Sequence, residues 1–185
     1  MWSYEKRLQY PIKISTPNAK LASYIISQYG GPDGELSASM RYLSQRFSAA
    51  NPRVAGLLTD IGTEELAHLE MIGAIVRQLT RGLSAKELEA AGFAPYYIDH
   101  TAAVWPQAAG GVPFNACEFQ CSGDAIADLV EDMAAEQKAR KTYDNILRVV
   151  ADPEVADPIR FLREREIVHF QRFGEALRLV QEELD

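Results

Sequence analysis

A chain of 185 residues, of which 47% are hydrophobic and 24% charged, is long enough for one globular domain with a sizeable core. Its formal net charge of −7 argues against nucleic acid or an anionic membrane as the main partner, because both attract basic surfaces. No stretch approaches the roughly 20 consecutive apolar residues of a membrane span. The N-terminus is too charged for a signal peptide, so synthesis in the cytoplasm is expected.

Four long helices are predicted after an irregular N-terminal extension. Pro17 can open a preliminary helix, which ends at the sequence GGPDG at residues 30–34. The bundle helices are predicted over residues 32–50, 52–81, 123–150 and 153–183. A short helix capped by Ser84 and Glu87 follows the second of them.

The long connection at residues 92–121 contains prolines, glycines and both cysteines of the chain. It joins the second and third bundle helices, so the chain forms two helical hairpins linked by a long crossover. That arrangement predicts an all-α, ferritin-like four-helix bundle that forms a single domain over residues 1–185.

Two of the bundle helices repeat one pattern of polar residues on an apolar stripe. In the second helix Glu65 and His68 follow two apolar positions of the stripe, and in the last helix Glu166 and His169 do the same. Two of the three histidines of the chain fall in these matched Glu-x-x-His elements. Burying such groups without partners is costly, so a pair of metal ions that binds carboxylate and imidazole is the candidate explanation.

A di-metal carboxylate bundle needs one further glutamate from each of the other two helices. Glu136 lies on the buried stripe of the third helix, three residues after Met133 and seven before Tyr143. Glu35 is the weaker candidate, in the first helix, because it only borders the buried stripe; taken alone it would be interpreted as an acid favoured by the dipole at a helix N-terminus. Tyr42 lies two turns beyond Glu35 and is predicted to hydrogen-bond the Glu35 carboxylate.

The remaining residues of metal-binding type are interpreted as non-ligands. His100 has no acid at ligand spacing and is predicted to be a loop histidine. Cys117 and Cys121 have no second cysteine or histidine pair nearby, which argues against zinc and predicts free thiols. Two cysteines require no disulfide framework, which favours a reducing compartment.

With these residues in place, the sequence resembles the non-haem manganese catalase family, and most closely its short spore-coat branch. The matching stretches include GGPDGELSASMRYLSQRF (30–47), DIGTEELAHLEM (60–71), SGDAIADLVEDMAAEQKARKTYDNIL (122–147) and FLREREIVHFQRFGEAL (161–177). The resemblance covers most of residues 17–181. It implies a site of two manganese ions that disproportionates hydrogen peroxide to water and dioxygen.

The resemblance also implies a role for each site residue. The implied manganese ligands are Glu35, Glu65, His68, Glu136 and His169. Glu65 would bridge the two ions, whereas Glu166 would lie outside the ligand shell and act as general acid and base. Tyr42 would support Glu35 through a hydrogen bond. Glu65 and Glu166 hold the same position in two identical motifs, yet they are expected to have different roles.

Two departures from the family pattern change the expectations. Family members are typically hexamers, and longer members have a C-terminal extension that wraps a neighbouring subunit. The chain ends at Asp185, about where the last helix ends, so a hexamer is expected to be held less firmly. Some members have an arginine directly before the third-helix glutamate, near the access route to the site. This sequence has Ala135 there, which predicts wider access.

Two other functions stay open on the sequence alone. A structural spore-coat protein could use the same bundle mainly for assembly, with other coat proteins as partners. A di-iron peroxidase or oxidase is the third hypothesis, because carboxylate and imidazole ligands do not by themselves separate manganese from iron.

Overall fold

The computed structural model describes residues 4–5, 7–93 and 104–183, and within those ranges the chain is helical and contains no strand. The helices are α1 (Ala19–Ile25), α2 (Ser27–Gly30), α3 (Glu35–Gln45), α4 (Pro52–Thr80), α5 (Ala85–Ala90), α6 (Ala125–Val149) and α7 (Pro153–Glu182), with a 3₁₀ helix at Ala116–Glu118. None of the described helices combines the length and the apolar character needed to cross a membrane.

Helices α3, α4, α6 and α7 form the bundle, and they do so as two hairpins. Helix α3 packs along α4, and α6 packs along α7, while the connection after α4 carries the chain to α6. The predicted all-α, ferritin-like fold is therefore confirmed. Capping residues fix the starts of three of these helices: Asn51 and Asp152 each precede a proline in the first turn, and Asp124 accepts from two backbone N–H groups.

Helix α3 is shorter than the predicted range of 32–50. Its N-cap residue, Gly34, has extended backbone, so the helix begins at Glu35 and that glutamate is its first residue. The helix ends at Gln45, and the following residues to Ser48 form turns. The start at Glu35 sets where this carboxylate lies along the bundle.

Two apolar clusters fill the bundle, one toward each end. One contains Leu58 and Ile61 of α4 together with Phe173 of α7, and the other contains Met71 and Ile72 of α4 together with residues of α1, α6 and α7. The Glu-x-x-His elements lie between these clusters along both α4 and α7. The sequence therefore places one polar layer inside an otherwise apolar bundle.

The N-terminal residues before α1 lie along α4 as an extended segment. Ile12 and Ile14 are buried. The backbone N–H of Ile14 donates to Gln78 Oε1 at 2.7 Å, and Gln78 Nε2 donates to the carbonyl of Ile12 at 3.1 Å. One side chain of α4 thus fixes the register of this segment, and the segment covers part of the helix that holds Glu65 and His68.

Candidate metal centre

Six buried polar side chains from the four bundle helices meet in the polar layer. Each of them is at most 2% exposed. They are Glu35 of α3, Glu65 and His68 of α4, Glu136 of α6, and Glu166 and His169 of α7. Five of them are residues that the sequence pattern placed on core stripes, and the sixth, Glu35, borders the stripe of its helix.

The carboxylate of Glu65 lies between the two imidazoles. Its Oε2 is 2.7 Å from His68 Nδ1, and its Oε1 is 2.8 Å from His169 Nδ1. The imidazole rings are nearly parallel, with centroids 5.5 Å apart. Burial alone would raise the pKa of Glu65, but the two histidines hold that pKa well below the ordinary value. Each oxygen of the Glu65 carboxylate therefore faces one of the two histidines.

Each imidazole also faces one further glutamate. Oε2 of Glu35 is 3.8 Å from His68 Nδ1, and Oε2 of Glu136 is 3.6 Å from His169 Nδ1. Burial, together with the charge of Glu65, raises the pKa of Glu35 to about 7. The donors therefore form two sets: His68 with Glu35, and His169 with Glu136. Glu65 belongs to both sets.

Glu166 has different surroundings from Glu65, although both belong to the same motif. No ion pair within 4.0 Å joins Glu166 to either imidazole in the described part of the chain. Burial raises the pKa of Glu166 well above its ordinary value, and the charges of Glu136 and Glu35 raise it further. Still, one donor atom from each of Glu65, His68, Glu166 and His169 lies within 4.8 Å of the other three. Glu166 is thus close to the centre but faces carboxylates.

The donor set fits a bound metal. Five buried donor atoms of these six residues have no hydrogen-bond partner among the described residues: Glu65 Oε1, His68 Nε2, Glu136 Oε2, Glu166 Oε1 and His169 Nδ1. Glu65 Oε1 and His169 Nδ1 are 2.8 Å apart but are not aligned as a hydrogen bond. Two ligand atoms that bind one ion at about 2.1 Å, at right angles to each other, lie about 3 Å apart. The 2.8 Å between Glu65 Oε1 and His169 Nδ1 therefore suits two ligands of the same ion.

The predicted hydrogen bond from Tyr42 to Glu35 is wrong. Tyr42 donates to Glu136, and Tyr143 donates to Glu35. These crossed contacts require α3 and α6 to run antiparallel. A tyrosine seven residues from its own glutamate lies about 10 Å along the helix axis, which brings it level with the glutamate of the other helix.

Tyr143 is a site residue that the sequence reasoning assigned only to the core. The signal for it was present, because Glu136 and Tyr143 have the same spacing as Glu35 and Tyr42. Both phenols are completely buried. Burial and the adjacent carboxylates raise the pKa of both phenols well above the ordinary value, so both stay protonated and donate.

Glu64 is a second residue that the sequence reasoning missed. Its carboxylate lies on the far side of the imidazoles, with Oε2 3.1 Å from His169 Nε2 and Oε1 3.6 Å from His68 Nε2. Arg165 donates to both oxygens of Glu64, at 2.8 and 3.1 Å, and Gln9 of the N-terminal segment donates at 2.8 Å. The hydrogen bond to Glu64 holds the His169 ring with Nδ1 toward Glu65, whereas the 3.6 Å contact with His68 Nε2 is electrostatic only.

A cavity of about 10 Å³, which is room for about one water molecule, lies beside the centre. Its lining residues are Asp33, Glu35, Ala38, Arg41, Tyr42, Ala135, Glu136, Ala139 and Glu166. Ala135 is part of this wall, and Arg41 of α3 reaches the same cavity. The gap that Ala135 leaves is thus bordered by a guanidinium from another helix.

The family comparison shows which family the chain belongs to. The family of manganese-containing catalases matches residues 1–185, which is the whole chain. The chain belongs to the manganese catalase family.

Individual relatives agree with this membership. Protein CotJC of Bacillus subtilis (strain 168) is 54% identical, over 100% of this chain and 97% of that protein. A probable manganese catalase of Clostridium acetobutylicum is 34% identical, over 99% of this chain and 82% of that protein. The crystal structure of KatB, a manganese catalase from Anabaena, matches with a TM-score of 0.88 and 29% identity, over 98% of this chain and 81% of that one.

Manganese is the metal of the manganese catalase family, and the oxygen and nitrogen donors of this chain suit it. The thiols take no part in the described centre: Cys117 and Cys121 are free and exposed, as predicted. His100 lies outside the described residues.

Proposed function

We propose that this chain catalyses the disproportionation of hydrogen peroxide to water and dioxygen at a site of two manganese ions. One observation carries the proposal: the Glu65 carboxylate is shared by two histidines, each of which faces a further glutamate. One ion is assigned to His68 with Glu35, and the other to His169 with Glu136. Glu65 is assigned as the ligand common to both.

The proposed division of labour follows from the surroundings of each residue. Bound manganese supplies the exchange of two electrons with each peroxide. One peroxide takes up two electrons and two protons and leaves as two waters, and a second gives up two electrons and two protons and leaves as dioxygen. Glu166 is assigned the proton transfers, because its carboxyl lies beside the centre and burial favours its protonated form.

The proposed outer residues hold the ligands in place. Tyr42 and Tyr143 orient Glu136 and Glu35 through their hydrogen bonds, and Glu64 orients the His169 imidazole from the opposite side. Such contacts fix a ligand before the metal arrives, which reduces the reorganisation needed on binding. Tyr42 is thus assigned the support of Glu136, in the half of the site that contains His169.

The decisive experiment is metal analysis of the purified protein together with an oxygen-electrode assay on hydrogen peroxide. We expect two manganese ions per chain and release of one dioxygen for two peroxides. Iron in the protein with no release of dioxygen would instead favour the di-iron peroxidase or oxidase. A protein that binds neither metal would contradict both metal hypotheses.

Assembly into a spore coat is the second candidate function, and the 54% identity to CotJC along the whole chain favours it. The two functions can be separated in a sporulating host with a Glu65→Gln variant. Retention of the variant in the coat with loss of peroxide breakdown would show that assembly does not need the metal centre. A hexamer, proposed from the family resemblance, is tested by analytical ultracentrifugation of the same proteins.

A further inference from the structure

Arg41 is a buried cation without a hydrogen-bond partner at two of its nitrogens. The residue is 1% exposed, and neither Nε nor Nη1 has a partner within the described chain. Burying a guanidinium in this way costs several kcal/mol unless something pairs with it. The chain therefore retains an unpaired donor group at a place where an apolar side chain would be more favourable for stability.

The neighbouring acids accept no hydrogen bond from this guanidinium in the described chain. Asp132 is near enough to interact electrostatically with Arg41; its Oδ1 accepts from Gln45 Nε2 at 2.9 Å, and its Oδ2 has no hydrogen-bond partner among the described residues. No ion pair within 4.0 Å joins Arg41 to any acid in the part of the chain that the structure describes. The acids on the cavity wall are Asp33, Glu35, Glu136 and Glu166, of which two are proposed metal ligands.

The space beside Arg41 is small, at about 10 Å³. Ala38, Tyr42, Ala135 and Ala139 form the remaining wall of the cavity, and Arg41 alone is basic among the described residues that line it. The same cavity borders Glu35, Glu136 and Glu166. A small molecule held there by the guanidinium would lie beside the metal ligands.

We propose that Arg41 binds one small anion in this cavity, beside the centre, where the anion competes with peroxide. A planar guanidinium presents its N–H groups as a fork, which suits a small anion with one or two acceptor atoms. Bound metal compensates the charge of the surrounding carboxylates, so an anion can enter the loaded site. The part of this inference that concerns peroxide rests on the proposed function, whereas anion binding by Arg41 does not.

Bromide is the probe, because it is small and can be located by anomalous scattering. Crystals of the metal-loaded protein are soaked in bromide, and we expect one anomalous peak within hydrogen-bond distance of Arg41 Nε or Nη1. Bromide should also compete with peroxide in the oxygen-electrode assay. Absence of a peak at Arg41 in the wild-type crystals would overturn the proposal.

Substitution separates a binding role from a structural one. Arg41→Met should keep its metal content and its thermal midpoint, lose the bromide peak, and weaken bromide competition by about tenfold or more. The KM for peroxide should rise more than kcat falls. Arg46→Met is the matched control, because Arg46 follows α3 but does not line the cavity, and it should bind bromide like the wild type.

Two results would contradict the inference. Wild-type bromide affinity in Arg41→Met would show that the anion binds elsewhere, and loss of metal from a folded Arg41→Met protein would make Arg41 a structural charge. If Arg41→Met does not fold, Arg41→Lys decides: it keeps the charge but not the fork, so its bromide affinity should be weaker than wild type. A wild-type protein that binds bromide at Arg41 yet releases no dioxygen would refute the proposed function and leave this inference intact.

Discussion

Tyr42 and Tyr143 give each half of the centre a support that comes from a different helix. Each phenol stays protonated because burial and a neighbouring carboxylate raise its pKa, so each can only donate to the glutamate opposite. A ligand glutamate on α3 is therefore oriented by α6, and one on α6 by α3. A small shift of either helix along its axis would disturb both halves together.

Glu166 gives the sharpest test of unequal roles within the two matched motifs. We expect Glu166→Gln to keep its manganese but to lose most of its turnover, because the amide fills the same volume and cannot exchange a proton. Metal content by elemental analysis and dioxygen release by electrode check this. Glu164→Gln, at an exposed acid of the same helix, is the control and should keep both. Loss of metal in Glu166→Gln would make Glu166 a ligand.

Glu64 is expected to set the metal affinity without touching the metal. Glu64→Gln removes the charge that faces both Nε2 atoms, so manganese affinity should fall by about 10- to 100-fold. Competition with a chelator measures that affinity. Glu70→Gln is the control, since Glu70 lies on the same helix but contacts Tyr4 at the surface, and its affinity should not change. Equal manganese affinities in the two variants would show that Glu64 does not influence metal binding.

Helices α3 and α4 approach each other closely at Gly62. A Cβ atom there would lie 2.9 Å from Leu43 Cγ and 3.2 Å from Tyr42 Cβ, and Ser39 Oγ donates to the Gly62 carbonyl at 2.8 Å. Glycine is needed at this position because α3 leaves no room for a side chain. The close approach also fixes the position of Tyr42 relative to α4.

Gly62→Ala should therefore lower the free energy of unfolding by about 1–3 kcal/mol, as measured by urea denaturation. Gly56→Ala is the matched control on the same helix, since no atom lies within 4 Å of its added Cβ. That control should raise the free energy of unfolding by about 0.5–1 kcal/mol, because alanine is the better helix former. Equal changes in the free energy of unfolding for both variants would show that α3 can move to make room for a side chain at position 62.

The sequence was sufficient for the elements of the bundle because each depends on local pattern. Helical spacing placed Glu65, His68, Glu166 and His169 on buried stripes, and the capping box at Ser84 and Glu87 is present as predicted. The ends of α3 were less predictable, since they depend on the turns at Gly34 and Arg46.

Contacts between distant helices could not be predicted in the same way. The partner of Tyr42 depends on the direction and stagger of α3 against α6, which lie far apart in the chain. The dual contact of Glu64 depends on how α7 passes α4, because Glu64 is off the core stripe. Arg41 was missed because an arginine on a helix is normally a solvent-exposed residue.

For the whole molecule, metal uptake is expected to depend on pH. Burial works against protonation of the histidines, but the surrounding carboxylates raise the pKa of His68 well above its ordinary value and that of His169 to about 12. The metal-free protein thus holds protons where the metal must bind. Protons compete more strongly at low pH, so manganese affinity should rise as the pH rises through the neutral range.

Calorimetric titration of manganese into the metal-free protein, in two buffers with different ionisation enthalpies, measures the protons released. We expect about one or more protons per bound ion near neutral pH, with affinity greater at pH ~8 than at pH ~6. Proton release that is absent, or an affinity that falls as the pH rises, would contradict the protonation states described for the two histidines.

The two hairpins carry equivalent sets of groups. Each has a glutamate followed seven residues later by a tyrosine, and each has one Glu-x-x-His element. Neither hairpin holds the complete centre, yet two copies of either one would offer the same kinds of donors in the same number. The hairpins are nevertheless not interchangeable, because Glu64 stands before the motif of one and Arg165 before the motif of the other, and these two residues pair with each other.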